Sequence, residues 1–139
     1  MLRIVVAALV LSSYAHGADP VPAELAGSWT LSEQSAGKLP SGCRNSRLVF
    51  TSDGKLISLN GDLRFVTKIS IKKRNEGFDT HQDIVEHNGR PNCQGRSADY
   101  IVTHFVQDVY FERAGTLLRQ YIWTKESGRF VEWVRTGST

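Results

Sequence analysis

Between Leu63 and Lys73 the chain alternates apolar and polar side chains more regularly than anywhere else. Leu63, Phe65, Ile69 and Ile71 fall on one side; Arg64, Lys68, Ser70 and Lys72 fall on the other. Successive side chains of a strand point to opposite faces, so this segment reads as a strand with one dry and one wet side. Asn60-Gly61-Asp62 precedes it and Asn75-Glu76-Gly77 follows it. Asn-Gly between apolar runs is a strong hairpin signal, because both residues accept φ > 0. Shorter runs of the same kind span residues 27–33, 46–51, 55–59, 78–87, 98–106, 108–113, 116–124 and 129–136. No helical period is visible beyond one turn at Glu24-Leu25-Ala26. The chain is therefore expected to be all-β, a single eight- or nine-stranded antiparallel up-and-down barrel, since closing a meander removes its edge strands. A two-sheet sandwich of Greek-key type shares this periodicity and remains the competing fold. Two loops of about ten residues interrupt the hairpins, Gln34 to Arg44 and Asn88 to Gly95.

The first residues belong to a different problem. Arg3 supplies a positive start, Ile4 to Leu11 is an apolar run of eight, and small residues follow at Ser13, Ala15, Gly17 and Ala18. That is the pattern of a secretory signal peptide over residues 1–17, too short to span a bilayer as a stable anchor. Cleavage after Gly17, or after Ala15, satisfies the small-residue rule. Residues 18–139 then form one domain. Secretion or a periplasmic address follows as the expected localisation. In an oxidising compartment the two cysteines, Cys43 and Cys93, most simply make one disulfide. The alternatives are a metal pair or two free thiols, and no nearby Cys/His spacing supports a metal.

Composition narrows the function classes. The net charge of +3 gives no strong electrostatic footprint for nucleic acid. No later segment is apolar enough to form a transmembrane helix. His81 and His87 share a strand face but lie about 20 Å apart by strand rise, and His104 stands alone, so neither metal nor cofactor is expected. Asp108 and Glu112 share a face about 13 Å apart, beyond the spacing of paired glycosidase carboxylates. No Ser-His-Asp spacing, Gly-x-Ser-x-Gly elbow or phosphate-cradling loop occurs. The chain is not expected to be an enzyme. Arg64, Lys68 and Lys72, with Lys73 and Arg74, form a basic stripe that reads first as a solvated face. The many aromatic residues would either fill a barrel or line a cavity in it, because eight strands leave room for side chains or for one small ligand.

Gly27-Ser28-Trp29 after a short leader resembles the Gly-x-Trp signature that opens the first strand of lipocalins and the wider calycin superfamily. The resemblance implies a lipocalin-like barrel with an arginine of the last strand packed over the tryptophan. Arg135 is the matching position, with Arg119 second. A guanidinium stacked on an indole would close one end of the barrel. The resemblance also implies a small apolar ligand in the barrel, for which Trp29, Phe65, Phe105 and Tyr121 are the expected lining. Residues 25–31 are similar as well to the opening of periplasmic inhibitors of serralysin-type metalloproteases. That likeness implies a filled barrel and a protein partner engaged through the leader Ala18-Asp19-Pro20-Val21-Pro22.

Overall fold

The computed structural model describes residues 20–137, and the expected signal peptide at 1–17 lies outside them. Eight strands follow in chain order: β1 (Gly27–Leu31), β2 (Arg47–Phe50), β3 (Lys55–Asn60), β4 (Leu63–Arg74), β5 (Gly77–His87), β6 (Asp108–Ala114), β7 (Leu117–Tyr121) and β8 (Phe130–Gly137). Each pairs antiparallel with its neighbours, and β1 closes on β8 through Leu31↔Trp133, Thr30↔Val134 and Trp29↔Arg135. The fold is a closed up-and-down barrel, with eight strands rather than nine and no sandwich. Among the described residues the ladders join consecutive strands and the two ends, so the barrel closes on itself.

The hairpin before β4 forms where Asn-Gly signals it, shifted by one position. Asn60 still pairs with Leu63 on the strands, so the two-residue loop is Gly61-Asp62. Gly61 alone takes positive φ there, at 62°, which suits glycine at the first central position. Asn60 uses its side chain instead: its Oδ1 accepts the Cys93 backbone N–H at 2.8 Å.

Alternation packs one half of the barrel solid. Trp29 and Phe50 are fully buried, and Phe111 meets Phe50 edge to face at 5.4 Å. Leu25, Leu56, Ile69 and Leu118 fill the space around them. The segment before β1 seals this end. Pro22 O accepts both Leu25 N and Ala26 N, and the Trp29 indole N–H donates to Leu25 O at 2.8 Å. Arg135 lies with its Cζ 4.6 Å from the Trp29 ring and donates to the Ala23 and Glu24 carbonyls. Arg113 reaches the same ring at 5.4 Å and the same Glu24 carbonyl. Two cations thus hold the leader down onto the indole.

Two short helices depart from the strand and loop expectations. Helix α1 (Glu33–Gly37) occupies part of the expected Gln34–Arg44 loop, with Ser32 Oγ capping Ser35 N. Helix α2 (Ala98–Thr103) replaces the strand expected over Ala98 to Val106. Ser97 Oγ caps Tyr100 N, and Tyr100 and His104 stack at 4.1 Å one helical turn apart. A strand there would have had no partner: the β5–β6 ladder begins only at His81↔Asp108.

Candidate functional site: the barrel mouth

The end opposite Trp29 is open. Leu31, Leu48, Phe65, Val131 and Trp133 turn inward there from four strands and wall a cavity of about 310 Å³. Ser58 and Gln120 add polar atoms to the same wall. The Trp133 indole N–H donates to Gln120 Oε1 at 3.1 Å, which fixes both side chains. Near them a run of polar groups follows the adjacent strands β4, β5 and β6. The Thr67 hydroxyl lies 3.4 Å from Gln82 Oε1, Gln82 Nε2 lies 3.5 Å from the Thr80 hydroxyl, and Thr80 donates to Val109 O at 2.7 Å. Buried polar groups satisfied by one another in this way cost little.

The rim is tied together covalently. Cys43 and Cys93 form a disulfide with Cα atoms 4.9 Å apart, and both cysteines border the cavity. The bridge joins the loop that follows α1 to the loop that follows β5. The second loop is fixed further by Asn92, whose Oδ1 accepts Gln94 N and Arg96 N at 3.0 and 2.8 Å. Leu39 and Pro40 complete the rim on the other side. The cavity is therefore a small apolar pocket with a few fixed polar groups, near the lower end of the size range of ligand sites.

The four expected lining residues are scattered. Phe65 lines the mouth. Phe105 stands behind it, edge to face at 5.6 Å. Trp29 is fully buried in the closed end, outside the cavity. Tyr121 faces outward, between Tyr110 at 5.5 Å and Phe130 at 5.6 Å. Its neighbours Leu118 and Gln120 take the inward positions, because Gln120 pairs with Phe111 and Val131 of the inner face. Arg119 also points outward. Its Nε sits 3.2 Å from the Glu132 carboxylate, which raises the guanidinium pKa above its ordinary value, and its Cζ lies over Phe130 at 4.5 Å.

Leu31, Leu48, Ser58, Gln120, Val131 and Trp133 line the mouth although they were not among the four expected lining residues. Leu31 was within reach, since it follows Trp29 on the same strand face, and the register then brings in Trp133.

The remaining charged features settle on the outer wall. Arg64 pairs with Glu86 at 3.5 Å and Arg74 with Asp79 at 2.7 Å, so the basic stripe is partly neutralised by β5. His87 accepts Gly89 N, and His104 Nδ1 contacts Tyr100 O. No group of three metal-ligating side chains converges among the described residues. No described helix is long and apolar enough to cross a membrane. No protein-family model, curated protein or solved structure matches the chain.

Proposed function

We propose that the protein is an exported, lipocalin-like binding protein that holds one small apolar molecule in the barrel mouth, without turning it over. The cavity of about 310 Å³ between Phe65, Trp133 and the disulfide-tied rim carries this reading. Its apolar walls favour a hydrophobic body, and Ser58 and Gln120 offer partners for one or two polar atoms on the ligand. The disulfide suits an oxidising compartment, in keeping with the signal-like leader. Gly27-Ser28-Trp29, with Arg135 stacked on the indole, supports calycin kinship. Protease inhibition through the leader draws less support. Val21 packs against the core, and Arg113 and Arg135 hold the carbonyls of Ala23 and Glu24. Threading that segment into a cleft would first require undocking it.

Native mass spectrometry of the protein, recovered gently from the exported fraction of its own cells, tests the proposal. A small apolar adduct is expected, and it should be absent from a Leu31→Trp variant that fills the cavity. A bare mass, together with no thermal shift across a panel of lipids and apolar metabolites, would sink it.

A further inference from the structure

The outer wall carries a second recess that the mouth does not use. It lies between the outward faces of β4, β5 and β6 and the connection from β7 to β8, with a volume of about 510 Å³. Trp123 projects from that connection, 66% exposed, with its backbone at φ 73°. A bulky residue at positive φ is a genuine outlier, and this indole buries little in return. Strain of that kind persists where the arrangement serves something other than stability. Beside the indole, the Tyr110 ring forms the floor, with Arg74 and Lys125 at 4.8 and 5.3 Å.

The charges around it are held in place by one another. Arg74 Nε meets Asp79 at 2.7 Å, His81 Nδ1 meets Asp108 at 2.8 Å, and Lys125 Nζ meets Glu112 at 3.3 Å. Of the Lys, Arg, Asp and Glu side chains lining the recess, Lys72, Arg74 and Lys125 are matched in number by Asp79, Asp108 and Glu126, and His81 lies among them. A balanced lining gives an ion of either sign no preferred berth. Apolar surface from Ile71, Val109, Tyr110 and Trp123 lies among these charged groups. The recess thus offers a flat aromatic face beside positioned donors and acceptors.

We infer that this recess binds a neutral saccharide. The C–H face of a sugar ring lies on Trp123. Its hydroxyls, each both donor and acceptor, bond to the carboxylates of Asp79 and Asp108 and to the Arg74 guanidinium. The site is separate from the barrel mouth and stands without it.

Isothermal titration calorimetry of the full exported chain with maltotriose, cellotriose and triacetylchitotriose tests the inference. At least one should bind saturably. Trp123→Gly should weaken that binding about tenfold or more while leaving the melting temperature unchanged or raised, because glycine relieves the positive φ. Asp79→Asn should weaken it too. Absence of saturable heat with all three sugars would overturn the inference. So would equal binding by Trp123→Gly, or a lowered melting temperature in that variant, which would make the indole a structural part of the loop.

Discussion

Gly61 illustrates how one residue couples a turn to the mouth. Its φ of 62° is required by the two-residue hairpin, and a Cβ built there would stand 2.7 Å from Cys93 Cα and N. Those atoms are backbone held by the disulfide and by Asn60, so they cannot swing aside as a side-chain tip would. Gly89 is the natural control, with φ 72° and nothing within 4 Å of the same Cβ. Gly89→Ala should cost only the left-handed strain, about 1 kcal/mol. Gly61→Ala should cost that plus displacement of the Cys93 loop, about 2–4 kcal/mol in total. Urea unfolding of the two variants decides: equal midpoints would mean that the Cys93 loop yields freely. Trp29 shows the same scale from the other end. Its place under Arg135 follows from strand parity, which sends Arg135 inward with Trp133 and Val131 while Arg119 goes outward to Glu132.

At the scale of elements, β4 and β5 pair along ten positions, whereas β5 and β6 share only five and stop at His81↔Asp108. His81 pins that last rung, with Nδ1 2.8 Å from Asp108 and Nε2 3.4 Å from Asp83. The Asp108 hydrogen bond raises the imidazole pKa above its ordinary value; desolvation opposes it, and the nearby Asp83 charge adds to it. A histidine raised in the folded state contributes stability that is fully present below its unfolded pKa, about 6.5. That contribution is lost as pH rises through the raised folded value. In a proton NMR titration His81 should therefore titrate above the ordinary histidine value, about 6.5, and Asp108→Asn should move it back down. A His81 midpoint unmoved by that substitution would show that the rung does not hold the ring. Most elements were legible because they rest on local alternation, as β4 does. The stretch Ile101-Val102-Thr103 was not, since its β-branched residues favour a strand wherever a partner exists. Whether a partner exists is a property of the ladder, not of the segment. The Ser97 cap was the local signal pointing the other way. The mouth was harder still: Tyr121 and Gln120 differ by one position, and only register says which faces in.

For the whole molecule, the disulfide is the one covalent link between chain segments far apart in sequence, with a separation of 50 residues. Closing a loop of that length restricts the unfolded chain by about 4 kcal/mol on the chain-entropy argument, an upper figure. The barrel ladders do not run through it, so reduction should lower the urea midpoint without changing the far-ultraviolet circular dichroism of the folded state. The same bridge borders the mouth, so under the proposed function stability and binding are tied. A ligand stabilises only the state that binds it, by RT ln(1 + [L]/Kd). If Cys43 and Cys93 hold the rim of the ligand site, the co-purified apolar molecule should raise the melting temperature of the oxidised protein more than that of the reduced protein. Thermal shifts with and without dithiothreitol, at equal ligand concentration, measure that difference. Equal shifts would place the ligand away from the rim. A larger shift in the oxidised form would make the disulfide part of the pocket, because a rim fixed before binding leaves less ordering to be done when the ligand arrives.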